Sequence, residues 1–252
     1  MIQGGFELSR ARGMKAQKRS ILTQQQPQEN LINFHKPQNT RIELVPRSRG
    51  QERLICNLLD DSVSVVVAAG PAGTGKTYLA MLSAIRAMRN GVCDRIVLTR
   101  PAVGVEDERH GFLPGDLISK MEPWTRPLLD VMREHYHPRD IMTMLQDQII
   151  EIAPLAFMRG RTFKRSWVIA DEMQNATPAQ IKMLLTRIGE SSKIVVTGDI
   201  DQADRKRSDN GLLDLTQRLS RSAVNGISVC DLNMRDVQRH ELIGPVLALY
   251  AE

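Results

Sequence analysis

The apolar run Val65–Ala69 leads directly into Gly70-Pro71-Ala72-Gly73-Thr74-Gly75-Lys76-Thr77, after which apolar residues recur with helical spacing. A strand that ends in a glycine-rich turn and opens a helix leaves few folds available. The glycines let successive backbone N–H groups turn inward as an anion nest at the positive end of the helix. In this setting G-x-x-x-x-G-K-[ST] is a phosphate-binding loop. Gly70, Pro71, Ala72, Gly73, Thr74 and Gly75 are expected to cradle phosphate, Lys76 to neutralise the β- and γ-phosphates, and the Thr77 hydroxyl to ligate Mg²⁺.

The rest of the chain fits the same architecture. Short β-rich runs at 64–69, 95–99, 149–153, 166–170, 193–197 and 227–232 alternate with helical patterns near 52–60, 75–89, 117–136, 139–147, 177–188, 211–221 and 236–250. That alternation predicts an α/β fold, a mostly parallel sheet with helices on both faces. Aromatic residues make up only 4% of the 252 against twelve Met, which disfavours a β-sandwich and predicts an aliphatic core. Thr177-Pro178-Ala179-Gln180 reads as a capping box with Pro at the first helical position.

Charge divides the chain. Residues 1–53 hold ten Lys/Arg and four Asp/Glu, or +6, so the remainder carries −1 of the total +5. Residues 1–45 therefore read as a basic, Gln-containing extension without sustained apolar periodicity, and 46–252 as one domain. The longest apolar run is far too short to cross a bilayer, and Cys56, Cys93 and Cys230 form neither a disulfide framework nor a zinc motif. A soluble protein of the reducing cytoplasm, with no membrane partner, is the expectation.

Ser166–Ala170 ends in Asp171-Glu172, two carboxylates at the tip of an apolar strand. Beside a phosphate loop, Asp171 is placed to complete a Mg²⁺ shell and Glu172 to orient or deprotonate an attacking water. An activated water argues for hydrolysis over phosphoryl transfer to a metabolite. Thr197-Gly198-Asp199-Ile200-Asp201-Gln202 ends a further strand, with Gln202 as a γ-phosphate reporter. Gln51, upstream of the loop, carries an amide that can read an adenine edge. The extra strand between the two motifs matches the RecA-like branch of P-loop NTPases.

Taken together, GPAGTGKTYLA (70–80), RPAV (100–103), GFLPGDL (111–117), IAPLAFMRGRTF (152–163), DEMQN (171–175), KMLLTRIG (182–189) and TGDIDQ (197–202) resemble the PhoH family of phosphate-starvation-inducible ATPases over residues 50–250. The resemblance implies an ATP-binding RecA-like domain related to the first motor domain of superfamily 1 helicases, a cytoplasmic location and a role in RNA metabolism. Met173 stands where the family usually has Ala, and 104–110 departs from its usual Gly-Glu-rich stretch.

By likeness to helicase cores, Arg100 and the cluster Arg159, Arg161, Lys164 and Arg165 around Phe157 and Phe163 would touch a nucleic-acid backbone. The competing reading is a solvated basic hairpin with both Phe in the core. Helicases of this type place ATP between two domains, the second supplying an arginine; by that likeness a neighbouring subunit must supply it here, in a ring-shaped hexamer. Arg239, in Asp236-Val237-Gln238-Arg239-His240, resembles the family's D-V-V-R-H element and is the candidate, with Arg235 the alternative. The expected function is Mg²⁺-dependent ATP hydrolysis coupled to RNA or single-stranded nucleic acid. A nucleotide-gated binding module with little turnover is the alternative, and a small-molecule kinase ranks third.

Overall fold

The computed structural model describes residues 41–101, 117–204, 206–239 and 242, and for 117–124 the backbone alone. The motif at 111–117, the departure at 104–110 and most of the basic extension lie outside the described residues. Among the described residues the strands are β1 (Val65–Ala69), β2 (Arg95–Thr99), β3 (Ile150–Ile152), β4 (Ser166–Ala170), β5 (Lys193–Gly198) and β6 (Ile227–Asp231). The α-helices among them are α1 (Arg49–Leu59), α2 (Lys76–Arg89), α3 (Leu117–Arg133), α4 (Pro138–Gln146), α5 (Pro178–Leu185) and α6 (Gly211–Arg221).

The strands form one sheet in the order β3-β2-β4-β5-β1-β6, with every pairing parallel. β1, β4 and β5 are buried along their whole length, as strands covered on both faces must be. Alternation splits β1 between two cores. Val66 and Ala68 pack with Leu54 and Leu58 of α1, Met81 and Ile85 of α2 and Met132 of α3. Val65 and Val67 pack on the other face with Met158, Met173, Leu184 and Leu212. Helices on both faces are thus the observed architecture, with aliphatic and Met cores.

Because the sheet is all parallel, its carboxyl ends lie level: Ala69 stands beside Gly198 and Asp231, and Thr99 beside Ala170. The turns after β1, β4 and β5 therefore meet at one edge, where ligands of open α/β sheets bind. In the sheet β5, not β2, separates β1 from β4; β2 lies beyond β4.

Local chemistry moves some boundaries. Ser48 accepts the Gln51 N–H at 3.2 Å and starts α1 at Arg49, ahead of the position its apolar spacing gives. Ile42 is buried and Leu44 packs beside it, so the packed domain takes in residues assigned above to the extension. The capping box of Thr177 and Gln180 forms as read. The helix expected at 236–250 does not begin at 236: Asn233 and Asp236 cap a single 3-10 turn over 234–236, and Val237 is extended. Residues 243–250 lie outside the described residues.

At the opposite edge of the sheet a buried lysine holds α1. Lys193 Nζ donates to the carbonyls of Leu58 and Asp60 at 2.8 Å each and lies 5.4 Å from the centroid of the Trp167 ring. A cation at a helix C-terminus satisfies carbonyls that the helix leaves open. Lys193→Met removes these bonds and strands the carbonyls, a loss of about 1–3 kcal/mol. Chemical denaturation should show it; wild-type stability would rule out this capping role.

Candidate phosphate-binding site

The turn between β1 and α2 is built on left-handed glycines, Gly73 at φ 84° and Gly75 at φ 81°, conformations that side chains rarely adopt. Lys76 bends back over it. Its Nζ donates to the carbonyls of Gly70 at 2.6 Å and Pro71 at 2.7 Å and to Thr74 Oγ1 at 3.3 Å. Burial pushes this ammonium below the ordinary lysine value, the carboxylates of Asp199, Asp171 and Glu172 oppose that fall, and the Arg239 guanidinium adds to it. Asp199 Oδ2 accepts the Ala72 N–H at 3.2 Å, so this amide of the nest already faces negative charge.

Three strand ends meet at Asp171. Its Oδ1 accepts from Thr77 Oγ1 at 2.8 Å and from Thr197 Oγ1 at 2.5 Å. Glu172 follows in the left-handed region at φ 54°, a backbone strain of about 1–2 kcal/mol for a residue with a Cβ. Gln202, exposed, joins Lys76, Thr77, Asp171, Glu172 and Asp199 around a cavity of about 260 Å³. The residues expected to meet at phosphate are therefore neighbours, although they come from three separate stretches of chain.

Sequence reasoning missed the side chains that join these stretches. Buried Gln174 donates from Nε2 to Glu172 Oε2 at 2.5 Å and accepts the Asp199 N–H on Oε1 at 3.1 Å. A Cβ on Gly198 would lie 2.5 Å from that Oε1, so a side chain there would displace the Gln174 amide. Asn175 forms a reciprocal pair with Asp204: Nδ2 donates to Oδ2 at 3.0 Å and Oδ1 accepts the Asp204 N–H at 2.9 Å. The available signal was the run of amides after the Asp-Glu pair; its partners, some 25 residues on, were not legible.

Gln51 is buried behind the loop, with Oε1 accepting the Arg47 N–H at 2.8 Å and Nε2 donating to the Thr74 carbonyl at 3.1 Å. A primary amide keeps one N–H and one lone pair beyond these bonds. It lines a second cavity of about 490 Å³ on the other side of Gly73 and Gly75, walled by Val45, Tyr78, Leu79 and Leu82. The two cavities share Gly73 and Gly75, and the second has the more apolar lining.

The basic cluster divides. Arg161 forms a two-pronged ion pair with Glu151 and stacks over the buried Phe163 ring, 4.8 Å from its centroid. Arg165 binds Asp94 at 2.6 and 2.8 Å from the opposite edge of the sheet. These two guanidinium groups are already satisfied. Arg100 lies at the carboxyl end of β2, and its carbonyl accepts the Leu155 N–H at 3.1 Å, seating the 155–158 turn there. Phe157 on that turn is 55% exposed, and Arg159 and Lys164 are exposed too. Only one of the two Phe is in the core, so neither the single nucleic-acid cluster nor the hairpin with both rings buried describes the region.

Arg239 lies against its own phosphate loop: a Cβ on Gly73 would meet its Nε at 2.5 Å. His137 caps α4 by accepting the Arg139 N–H at 3.3 Å, and among the described residues no group of three His, Cys, Asp or Glu could hold a metal. All three cysteines are free, and burial pushes the Cys93 and Cys230 thiols up to about 11. No helix among the described residues is long and apolar enough to cross a membrane.

The family model described as PhoH-like protein matches residues 43–251. A PhoH-like protein of Synechocystis sp. is 48% identical over 186 residues, covering 74% of this chain and 56% of that one. A PhoH-like protein of Bacillus subtilis is 45% identical over 186 residues, covering 74% and 58%. The chain thus spans little more than half the length of these relatives. Among solved structures, the Hef helicase domain of Pyrococcus furiosus superposes with a TM-score of 0.42 at 11% identity, over 74% of this chain and 38% of that chain.

The Gln174 bridge predicts coupled loops. Gln174→Leu should free the Asp199 amide, whose hydrogen exchange should speed up by about tenfold or more for a lost buried bond. Exchange at wild-type rate would show that Gln174 does not hold the β5 turn.

Proposed function

The chain belongs to the PhoH-like protein family, and from that premise we propose that it binds ATP with Mg²⁺ at the edge of β1, β4 and β5 and hydrolyses it. The observation that carries this reading is the meeting of the Thr77 hydroxyl, the Asp171 carboxylate and Glu172 around one cavity of about 260 Å³. Thr77 and Asp171 offer two hard oxygen donors 2.8 Å apart. Such a set suits Mg²⁺, which keeps several waters and takes its other ligands from substrate phosphates, so a larger acidic cluster is not needed. When bound, Mg²⁺ supplies positive charge between the β- and γ-phosphates.

In this reading the nest amides and Lys76 bind the phosphates, and Lys76 exchanges the carbonyls of Gly70 and Pro71 for phosphate oxygens. The base enters the cavity between Tyr78, Leu79 and Gln51. Glu172, steered by its backbone and by Gln174, orients water and takes its proton. Gln202 senses the γ-phosphate from the end of the β5 turn.

The nucleic-acid partner, RNA or another single strand, belongs to the same proposal, as do a cytoplasmic location and a head-to-tail homo-oligomer closing as a hexamer. Support for the partner comes from exposed Phe157 and Arg159, which lie on and just after the turn seated at the Arg100 carbonyl, an aromatic ring for stacking and cations for phosphate on neighbouring segments. A second reading, a nucleotide-gated nucleic-acid-binding module with little turnover, is favoured by the Gln174 and Asn175 bridges, which tie Glu172 to residues 199–204. Light scattering with and without ATP measures the assembly.

Phosphate release with and without single-stranded RNA or DNA separates the two readings; stimulation supports coupled hydrolysis, and tight binding without turnover supports the gate. Lys76→Ala should lose nucleotide binding, whereas Glu172→Gln should retain it and lose about 10²-fold or more in turnover. Unimpaired hydrolysis by Glu172→Gln would remove Glu172 from its role. Replacing Arg100 and Arg159 together by Gln should flatten the salt dependence of single-strand binding by roughly 0.7 per lost contact. Replacing Arg161 and Arg165 should lower stability and leave that slope alone. The opposite pattern would return the binding surface to Arg161 and Arg165.

A further inference from the structure

After β6 the chain doubles back along the phosphate loop, and each step of its course is pinned. Asp236, buried, accepts the Asn233 N–H on Oδ2 at 2.9 Å and the Gly50 N–H on Oδ1 at 3.1 Å, tying the 234–236 turn to the start of α1. The approach is so close that a Cβ on Gly50 would lie 2.5 Å from the carboxylate. Two residues on, the Gln238 N–H donates to the Gly73 carbonyl at 2.9 Å. Arg239 is thereby delivered to Gly73, with Nε and Cγ 2.5 and 2.9 Å from where a Cβ there would stand.

The guanidinium is exposed, and among the described residues it has no hydrogen-bond acceptor and no carboxylate partner. It stands beside a second cation. Its charge is felt at Lys76, whose pKa it helps to lower. Two cations on one glycine-rich turn, with only Lys76 bonded to protein oxygens, repel each other until a polyanion joins them. A nucleoside triphosphate supplies several negative charges, and an arginine fork binds phosphate oxygens in pairs.

We propose that Arg239 is a phosphate-binding residue acting in cis, folded onto the triphosphate of its own chain by the Asp236 and Gln238 anchors. This inference rests on the reading of the site as a nucleoside triphosphate site. It replaces the arginine expected from a neighbouring subunit: the site carries its own, whatever the oligomeric state. The segment 233–239 then closes the loop over Gly73, and it links the nucleotide to α1 through Gly50.

Binding of a fluorescent ATP analogue and of its ADP counterpart tests this. Arg239→Ala should bind the triphosphate about 10- to 100-fold more weakly, as expected for a lost hydrogen bond between charged groups. Arg239→Lys should recover part of that loss, and circular dichroism should match the wild type for both. In mixtures of Arg239→Ala with Lys76→Ala, ATP turnover should stay at the level of the separate variants, since each chain lacks one of its own cations. Triphosphate affinity unchanged in Arg239→Ala, or turnover recovered in the mixture, would overturn the cis assignment while leaving the ATP site standing. Absence of nucleotide binding by the wild-type protein would overturn both.

Discussion

The Asp171 carboxylate is the point on which the site depends, because one of its oxygens accepts hydroxyls from two other segments, Thr77 at the start of α2 and Thr197 near the end of β5. Three stretches of chain that are distant in sequence are brought into register there. The interaction is possible because parallel pairing sets the ends of β1, β4 and β5 level. A carboxylate at this edge is tolerable because hydroxyl donors satisfy it, and it stays close to the buried Lys76.

Around that centre, polar side chains take the place of regular structure. Gln174 and Asn175, both buried, hold the turn after β5 against the turn after β4. They let Glu172 keep a left-handed backbone, which its own side chain disfavours. Strain at one residue is compensated by bonds made by the next two or three. The same economy appears in Asp236, a buried carboxylate that organises the 234–236 turn and the start of α1 together.

Charge is distributed by pairing more than by number. Arg161 and Arg165 belong to ion pairs with Glu151 and Asp94 and carry the strands' amino edge. Lys193 serves the end of α1. Arg100, Arg159 and Arg239 lie toward the carboxyl edge, near the phosphate loop or the exposed Phe157 turn.

The sequence by itself determined the α/β class, the strand–turn–helix at Gly70–Thr77 and the carboxylate pair after β4, because these depend on local periodicity and on glycine's access to positive φ. Periodicity also placed all six strands to within a residue or two. Tertiary structure decided what long-range pairing controls. Which arginines are free depended on whether Glu151 and Asp94 reach them, and no spacing rule reports that. The role of Gln174 depended on β5 lying beside β4, which sequence order hides. Arg239 was legible as a candidate, yet its place on Gly73 of its own chain followed only once Asp236 and Gln238 had turned the backbone toward the loop. The reason is physical: a local pattern fixes which conformations a segment can adopt, whereas the partners of a polar side chain are set by the packing of segments far apart in the chain.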